Sequence, residues 1–341
     1  MTANAAFVSV GTGVSSIVLT GLVRRYATRR NMLDVPNARS SHALPTPRGG
    51  GLGIAVTFAA ALVSLALGRL LDVKSVIVLL MSGGIVAAAG FLDDRHSLPA
   101  RARFGAHVAA AGLFVMWIDH FSASWLAEIG LGYQWFGALC ILLALTWSTN
   151  LFNFMDGIDG IAGSEAAFVT GAAAWINSHQ GDPGITAALL CLCAASVGFL
   201  VWNWPPARIF MGDVGSGFLG LMVPMLELVA SERAPIPLQV WIILGGLFLL
   251  DATVTLLRRV IRGDRWFEAH RLHAYQRLAR RWKSHLLVTV LFCSINIFWL
   301  LPWAWYAEKA PAFATMSLVA ALTPVLLFVL IAGAGKPEHA N

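Results

Sequence analysis

Apolar residues run along this chain in stretches of about twenty, separated by short polar segments. A stretch of that length crosses a bilayer as a single α-helix. We therefore predict an all-α, polytopic membrane protein with eleven transmembrane helices, or ten if one of the weaker stretches is not a span. The predicted spans lie near residues 5–23, 51–69, 75–92, 104–119, 133–151, 160–176, 185–202, 214–230, 238–257, 286–303 and 312–333.

The composition agrees with this class. Of 341 residues, 57% are hydrophobic and 12% charged, and the mean hydropathy is +0.70. Soluble domains carry roughly a quarter charged residues, so an ordinary soluble protein is excluded. We predict one membrane-embedded domain over residues 1–341. Its polar loops lie at 24–50, 93–103, 152–159, 203–213 and 258–285. The four cysteines fall inside predicted spans, which indicates packing residues rather than disulfides or a zinc site.

The basic residues orient the predicted spans. Net charge is +6, and 20 of the 24 Lys and Arg fall in those polar loops and the C-terminal tail, all on one side of the predicted membrane. Cytoplasmic loops are enriched in Lys and Arg, so we assign that side to the cytoplasm and the N-terminus to the outside. Arg24 and Arg25 follow the first span and no basic stretch precedes it, which indicates a retained helix rather than a secretory signal peptide.

Adjacent carboxylates, Asp93 and Asp94, follow the third predicted span in FLDDRHSLPAR. Two neighbouring negative charges repel, and a divalent cation or a shared proton relieves the repulsion. The alternative is a solvated turn flanked by Arg95 and Arg101. The pair alone does not decide between these two interpretations.

A second polar cluster, NLFNFMDGIDG, places Asn150, Asn153, Asp156 and Asp159 in otherwise apolar sequence. If the helix of the preceding span runs on, the last three share one face and direct their oxygen atoms together. The alternative is a helix end capped by Asn and Asp. Capping needs one such residue rather than four, which favours a ligand site.

Asp213 stands among glycines in ARIFMGDVGSGF, at the start of a predicted span. Glycines beside a carboxylate at a helix N-terminus suit a phosphate or metal that approaches backbone N–H groups. An ordinary N-cap Asp is the alternative. The glycine run at 49–53 lacks the Lys-Ser/Thr of a P-loop, and close helix packing explains it instead.

Two basic loops contain His and Ser among their cations. NARSSHALPTPRGGG includes Ser41, His42 and Arg48. EAHRLHAYQ includes His270, Arg271 and His273. Attraction to anionic lipid explains cations alone. Guanidinium, imidazole and hydroxyl groups together indicate phosphate recognition.

All these clusters fall on the predicted cytoplasmic face. Carboxylates for a hard divalent cation beside cations for phosphates describe a phosphoryl-transfer site. The predicted span centres are largely free of charge, which argues against an ion-coupled transporter. A flippase or transporter for anionic lipids and a lipid pyrophosphate phosphatase are the competing hypotheses.

FLDD, NLFNFMDGIDG, IFMGDVGS and a His-containing last loop occur in this order from residue 40 to about 276. The set resembles the polyprenyl-phosphate N-acetylhexosamine-1-phosphate transferases, glycosyltransferase family 4. PTPRGGG with HRLHAYQ resembles the branch that initiates O-antigen or other surface polysaccharides. The peptidoglycan branch, the phospho-MurNAc-pentapeptide transferases, usually has three consecutive His where this chain has His270, Arg271, Leu272 and His273.

The resemblance implies transfer of an N-acetylhexosamine-1-phosphate from a UDP-sugar to undecaprenyl phosphate. The products are undecaprenyl-diphosphate-sugar and UMP, and the metal is Mg²⁺, or Mn²⁺ in its place. A 6-deoxy sugar such as N-acetylfucosamine or N-acetylquinovosamine is typical of this branch. The expected setting is a bacterial inner membrane, with membrane lipids and no nucleic acid as partners; a homodimer is left open.

The resemblance also implies roles for single residues. Asp213 matches the principal metal ligand and Asn153 a second metal contact. Asp93 and Asp94 match an acidic pair that either deprotonates the lipid phosphate or joins the metal site. Asp156 and Asp159 match positions near the uridine, Phe210 a ring that stacks on uracil, and the last loop a pyrophosphate or sugar contact. The predicted substrate-binding residues are Ser41, His42, Arg48, Asn150, Asp156, Asp159, Phe210, His270, Arg271 and His273.

Overall fold

A computed structural model describes residues 3–36, 44–118, 134–234, 236–264 and 270–337. Almost all of this is helix, and the prediction of an all-α membrane protein is confirmed. The helices are α1 Ala3–Arg29, α2 Gly51–Leu67, α3 Val73–His96, α4 Ala100–Trp117, α5 Gln134–Met155, α6 Ile161–Gln180, α7 Pro183–Asn203, α8 Asp213–Arg233, α9 Leu238–Leu244, α10 Gly246–Ile261, α11 Ala274–Trp282, α12 His285–Ile295, α13 Leu301–Lys309 and α14 Ala314–Ile331. A π-turn at Asn296–Leu300 joins α12 to α13, and a 3₁₀ turn at Pro311–Phe313 precedes α14. Two short strands, β1 Leu33–Asp34 and β2 Thr46–Pro47, pair antiparallel.

Every predicted span overlaps a helix, but in the described part of the chain fewer helices than predicted spans are long and apolar enough to cross a membrane. Among the described residues, seven helices are long and apolar enough to cross a bilayer, and an eighth crossing results if α9 and α10 form one broken span. The predicted count of eleven stays a prediction. The predicted span at 238–257 is not straight, because the chain bends by 74° between α9 and α10. The break at Gly245 gives two short helices in place of one.

Helix α8 lies at the centre of the bundle. In its most apolar 18-residue window 78% of the residues are buried, against 17% for α1 at the periphery. It packs against α2, α3 and α5. Glycines permit the close approach: a Cβ on Gly51 would lie 2.1 Å from the Cα of Gly215, and one on Gly90 would lie 2.4 Å from the carbonyl oxygen of Asp213.

The C-terminal end of α8 is held by ionic contacts of Arg233 with Asp72 and Asp182. We call these three residues the closed end. The Arg233 guanidinium donates to Asp72 Oδ2 at 2.6 Å and to Asp182 Oδ2 at 3.2 Å. Asp72 also accepts from the backbone N–H of Ser75, and Asp182 from that of Gly184, so the two carboxylates cap α3 and α7. Three helix ends therefore meet at one guanidinium.

The expectation of nearly charge-free span centres has one clear exception. Asp251 lies within α10, in the middle of the predicted span at 238–257, and is fully buried. Glu165 in α6 and Glu227 in α8 also lie inside helices. A carboxylate buried at such a depth requires hydrogen-bond donors, and those of Asp251 come from α11.

The segment after α14 returns to the last polar loop. Backbone carbonyls of residues 334–336 accept hydrogen bonds from Arg258, Arg262 and Arg277, at 2.6, 2.7 and 3.1 Å. These three cations thus contact the end of the described chain.

Candidate active site

An acid cluster forms where the C-terminal end of α3 meets the N-terminal end of α8. Asp93 lies in the last turn of α3 and Asp213 in the first turn of α8. The Arg103 guanidinium, from α4, lies between them: its Nη1 atom is 2.9 Å from Asp213 Oδ2 and 3.1 Å from Asp93 Oδ2. The Asn153 amide, near the end of α5, donates to Asp213 Oδ1 at 2.9 Å. We call Asp93, Asp94, Asp213, Asn153 and Arg103 the site end.

Asp94 caps the start of α8 from a different helix. Its carboxylate accepts from the backbone N–H of Asp213 at 3.1 Å and of Val214 at 3.3 Å. A Cβ on Gly212 would lie 2.5 Å from Asp94 Oδ2, so only glycine leaves room for this carboxylate. The glycine beside Asp213 was predicted to admit a phosphate or metal. That interpretation is wrong for these N–H groups, because Asp94 already occupies them.

The first basic loop is attached to the loop before α8. Arg48 Nη2 donates to the backbone carbonyl of Asp94 at 2.5 Å, which places its guanidinium beside the acid cluster. The backbone N–H of Phe210 donates to the Pro47 carbonyl, and that of Gly50 to the Phe210 carbonyl. PTPRGGG and IFMGD, distant in sequence, therefore form one backbone ladder. Ser41 and His42 lie outside the described residues.

The cluster in NLFNFMDGIDG divides into two parts. Helix α5 ends at Met155, so the predicted shared helical face for Asn153, Asp156 and Asp159 is wrong. Burial raises the pKa of Asp156 well above its ordinary value, and the nearby charges of Asp213 and Asp94 raise it further. Asp156 therefore belongs electrostatically to the site end.

Asp159 turns away from the acid cluster. Its Oδ2 atom accepts from the backbone N–H of Ala207 at 3.0 Å, and its Oδ1 atom lies 3.2 Å from Nδ1 of His285. Its backbone carbonyl accepts from the Thr289 hydroxyl. Asp159 thus connects the loop before α8 to α12, and these contacts describe a structural role.

The last loop places aromatic rings over the end of α5. His273 lies 4.9 Å from His270 and 6.3 Å from Phe154 between ring centroids, in stacked arrangements. Burial lowers the pKa of His270 to about 3, and the charges of His273 and Arg259 act in the same direction. His270 is therefore neutral near pH 7 and can accept as well as donate a hydrogen bond.

His273 and Arg271 differ in how they are held. His273 is 2% exposed; its Nδ1 atom lies 3.5 Å from Asp251 Oδ1, and its Nε2 atom has no hydrogen-bond partner among the described residues. The backbone carbonyl of Arg271 accepts from the Arg280 guanidinium at 2.9 Å. A buried imidazole with an unpaired Nε2 suits a ligand.

A cavity of about 680 Å³ adjoins the acid cluster. It lies between α3, α4, α5 and α8, and its wall includes Arg103, Phe104, His107, Asn150 and Asp213. Asn150 donates to the Thr146 carbonyl of its own helix, and its side chain also hydrogen-bonds with His107. Most of the remaining wall is apolar, from residues such as Ala89, Pro99 and Phe154. The cavity therefore offers a polar end beside Asp213 and an apolar body.

The charges at the site end do not balance. In and beside the site end, four carboxyl groups, Asp93, Asp94, Asp156 and Asp213, are accompanied in the described contacts by the guanidinium groups of Arg48 and Arg103. The raised pKa of Asp156 means that the protein alone does not stabilise all four as anions. No three His, Cys, Asp or Glu side chains in the described ranges are arranged to hold a metal ion by themselves. Mg²⁺ fits such a site, because it binds one or two carboxylates and completes its shell with water and substrate phosphates. Asn153 lies directly beside Asp213, but its Nδ2 atom donates to Asp213 Oδ1, so its amide would have to turn to offer an oxygen to the ion.

Two site residues were missed from the sequence. Arg103 was counted with the cytoplasmic cations, although it lies ten positions after Asp93 at the start of the next helix. Ser216, whose hydroxyl lies 3.1 Å from Nδ2 of Asn153, follows Asp213 by three positions and so shares its helical face. That spacing was a usable signal for Ser216. For Arg103 the charge count offered no way to separate a site residue from an orienting cation.

Known proteins resemble the chain over most of its length. The model of glycosyl transferase family 4 matches residues 76–231. A decaprenyl-phosphate N-acetylglucosaminephosphotransferase of Mycobacterium leprae is 30% identical over 320 residues, which cover 84% of this chain and 79% of that protein. A probable undecaprenyl-phosphate N-acetylglucosaminyl 1-phosphate transferase of Bacillus subtilis is 28% identical over 286 residues, covering 82% and 78%. A phospho-N-acetylmuramoyl-pentapeptide-transferase of Synechococcus elongatus is 32% identical over 190 residues, half of each chain.

Proposed function

This chain belongs to glycosyl transferase family 4, the polyprenyl-phosphate N-acetylhexosamine-1-phosphate transferases, and we propose that it transfers an N-acetylhexosamine-1-phosphate from a UDP-sugar to undecaprenyl phosphate. As a family member it is a multi-pass membrane transferase of sugar phosphates. One observation carries the finer proposal: the acid cluster bridged by Arg103 opens onto a largely apolar cavity at the end of membrane helices.

The proposed reaction exchanges one phosphate linkage for another. A lipid-phosphate oxygen attacks the β-phosphorus of the UDP-sugar, and the bond from that phosphorus to the bridging oxygen breaks. UMP leaves with that oxygen and its charge, and the product is undecaprenyl-diphosphate-sugar. The lipid phosphate is already an anion at neutral pH, so neutralisation of charge and in-line alignment matter more than a strong base. Arg103 and Arg48 supply positive charge beside the reacting phosphates.

We assign Mg²⁺ to Asp213 and Asn153. The excess of carboxylates over cations at the site end supports this assignment, as does the hard-oxygen character of the donors. When bound, the ion would neutralise charge on the phosphates. Because the protein offers few ligands of its own, the affinity for Mg²⁺ should depend on the substrate phosphates.

The two adjacent carboxylates have different contacts, and we propose different roles. Asp94 is 4% exposed and both its oxygens accept from the start of α8, so it orients Asp213. Asp93 accepts from the Leu98 N–H and, together with Asp213, from Arg103, which lines the cavity. Asp93 is therefore the member of the pair that meets the substrate.

We propose that the cavity beside Arg103 receives the head of the lipid acceptor. Its apolar wall suits isoprenoid carbon, and the polar residues Arg103, His107 and Asn150 line it together with Asp213. Nδ1 of His107 is buried without a hydrogen-bond partner in the described part of the chain, which a phosphate oxygen would supply.

We propose that the donor binds near Asp156, whose carboxyl is influenced by the charge of Asp213, and near the rings of His270 and His273, which stack beside Phe154. Phe210 and Arg271 are assigned to the donor by the family resemblance. The donor is proposed to be a UDP-N-acetylhexosamine, including 6-deoxy forms, and the product the first intermediate of an O-antigen or related envelope polysaccharide. The resemblance of HRLHAYQ to that branch supports this part.

The reaction is tested with purified protein in lipid nanodiscs, undecaprenyl phosphate, Mg²⁺ and one UDP-sugar at a time, with UMP as the readout. The donors are UDP-N-acetylglucosamine, UDP-N-acetylfucosamine, UDP-N-acetylquinovosamine and UDP-MurNAc-pentapeptide. We expect UMP with at least one of the first three, none after chelation of Mg²⁺, and full activity from the closed-end variant Asp182→Asn.

Three results would assign another function. Absence of UMP with every donor overturns the transferase proposal. Lipid translocation by the same protein reconstituted into vesicles would then indicate a flippase. Inorganic phosphate released from a lipid diphosphate would indicate a phosphatase. UMP with the pentapeptide donor alone would assign the peptidoglycan reaction.

We propose that the site faces the cytoplasm of a bacterial inner membrane, on the strength of the bias in Lys and Arg. Lys283, after α11, and Lys309, at the end of α13, are both exposed and lie on opposite predicted sides. In spheroplasts, an impermeant maleimide should label Lys309→Cys and leave Lys283→Cys unlabelled until the membrane is opened. The reverse pattern would invert the topology.

A further inference from the structure

Asp251 is a fully buried carboxylate that the proposed chemistry does not use. It lies in α10, and its two oxygens accept from the first backbone N–H groups of α11: Oδ1 from Ala274 at 2.8 Å and Oδ2 from Tyr275 at 3.1 Å. The Thr255 hydroxyl donates to Oδ1 at 3.3 Å, and Nδ1 of His273 lies 3.5 Å from the same oxygen. The carboxylate therefore caps a helix to which it does not belong.

A carboxylate at this depth is unfavourable unless donors compensate it. The N-terminus of a helix offers both unpaired N–H groups and a partial positive charge. Asp251 and α11 therefore stabilise each other only when the start of α11 stands directly over α10. The position of this start is thus specified more tightly than an ordinary surface loop would be.

The start of α11 also contacts the end of α5. The Tyr275 hydroxyl donates to the Phe154 carbonyl at 2.9 Å, and a Cβ on Gly157 would lie only 2.2 Å from that hydroxyl oxygen. His273 precedes α11 directly and stacks on Phe154. A displacement of α11 would therefore move His273 relative to the ring of Phe154 and to Asp156.

We propose that Asp251 is a positioning residue for the sugar-nucleotide donor: it holds the start of α11 so that His270 and His273 stand over the end of α5. This inference rests on the proposed function, since it takes the ligand of this loop to be a UDP-sugar. Asp251 itself contacts neither substrate.

The test compares two carboxylates that each cap the N-terminus of a helix, Asp251 at α11 and Asp182 at α7. Asp251→Asn removes the charge that caps α11, and Asp182→Asn does the same at the start of α7, far from the site end. Both variants should lower the melting temperature to a similar extent. Only Asp251→Asn should raise the KM for the UDP-sugar, by about tenfold, because small displacements of binding groups have large effects on rate and affinity. The KM for undecaprenyl phosphate should stay within twofold of the wild-type value.

Two further measurements guard against a purely structural effect. The affinity for UDP-sugar is measured without lipid acceptor, from the rise in melting temperature that the ligand causes. This affinity should weaken by the same factor in Asp251→Asn. His273→Ala and the double variant should raise the donor KM by similar factors, because Asp251 is inferred to act through His273. If Asp251→Asn does not fold, Tyr275→Phe leaves the cap intact and should raise the donor KM about threefold by removing one hydrogen bond.

The outcomes separate this inference from the proposed function. An active wild type with an unchanged donor KM in Asp251→Asn overturns the positioning role alone. Equal changes in the KM values of donor and lipid, or fully additive effects with His273→Ala, would also overturn it. A wild type that is inactive with every UDP-sugar overturns the proposed function instead.

Discussion

The two ends of α8 contain the same ionic motif, a guanidinium between two carboxylates, in opposite settings. At the closed end Arg233 lies between Asp72 and Asp182. At the site end Arg103 lies between Asp93 and Asp213. The motif itself therefore does not decide whether a cluster is structural or available to a ligand.

The helix termini make the difference. Both carboxylates of the closed end cap helix N-termini, each of which carries about half a positive charge, so one guanidinium completes the balance. At the site end Asp93 and Asp94 lie at the negative C-terminus of α3, and the N-terminus of α8 is already capped by Asp94. The site end thus gathers more carboxyl groups than its guanidinium groups can neutralise. We infer that the excess is what recruits a divalent cation.

Replacement of Asp213 should give the largest effect and the sharpest contrast between the ends. Asp213→Asn removes the proposed metal ligand, and we expect UMP release to fall about a thousandfold, in the range of lost electrostatic stabilisation in other enzymes. The melting temperature without Mg²⁺ should stay equal or rise, because one of several repelling carboxylates is gone. Thermal unfolding and UMP release are measured on the same preparation. A stability loss as large as that of Asp182→Asn would mean that the two ends do not differ.

Removal of the cation at the site end should have the second largest effect. Arg103→Gln leaves Asp93 and Asp213 without their shared donor, and we expect activity to fall about a hundredfold. In metal-free buffer the variant should melt below the wild type, and Mg²⁺ should narrow that gap because it neutralises the same carboxylates. Melting curves with and without Mg²⁺ test this. A gap that Mg²⁺ leaves unchanged would contradict a shared electrostatic role for Arg103 and the ion.

The contrast also explains which parts of the site were predictable. The carboxylates of the site end stand out in sequence because each breaks an apolar run, and their predicted common face follows from the alternation of basic loops. Hydropathy and charge are local properties, so they predicted the helices and the positions of the acidic residues. The all-α membrane architecture followed from the same pattern.

Partners were not predictable, because they depend on which helices become neighbours. Asp94 caps α8 only because α3 ends against the start of α8, and nothing near Asp94 in sequence indicates this. Asp159 turns toward His285 for a similar reason. The bend at Gly245 and the burial of Asp251 were both missed, because hydropathy averaged over residues 238–257 predicts one straight span. In each case a contact between distant segments overrode the local pattern.

At the closed end, loss of the cation should affect stability and leave catalysis intact. Arg233→Met removes the guanidinium that joins three helix ends, and we expect the free energy of unfolding to fall by about 1 kcal/mol, since partly exposed ion pairs contribute little. UMP release should stay within twofold of the wild-type value. Melting temperature and initial rate are compared with those of Arg103→Gln. A large loss of activity in Arg233→Met would show that the closed end communicates with the site.

The smallest effect concerns the pH dependence of the closed end. Burial acts to raise the pKa of Asp72, but hydrogen bonds from Ser75 and the charge of Arg233 outweigh it and lower the pKa from 3.8 to about 2. Because the folded-state pKa is the lower one, the ionised Asp72 stabilises the fold fully above about pH 4, and this contribution disappears as pH falls through 2. The melting-temperature difference between wild type and Asp72→Asn should therefore be constant from pH 7 to pH 5 and shrink on further acidification. A difference that grows as pH falls would mean that the closed end, like the site end, carries negative charge it does not balance.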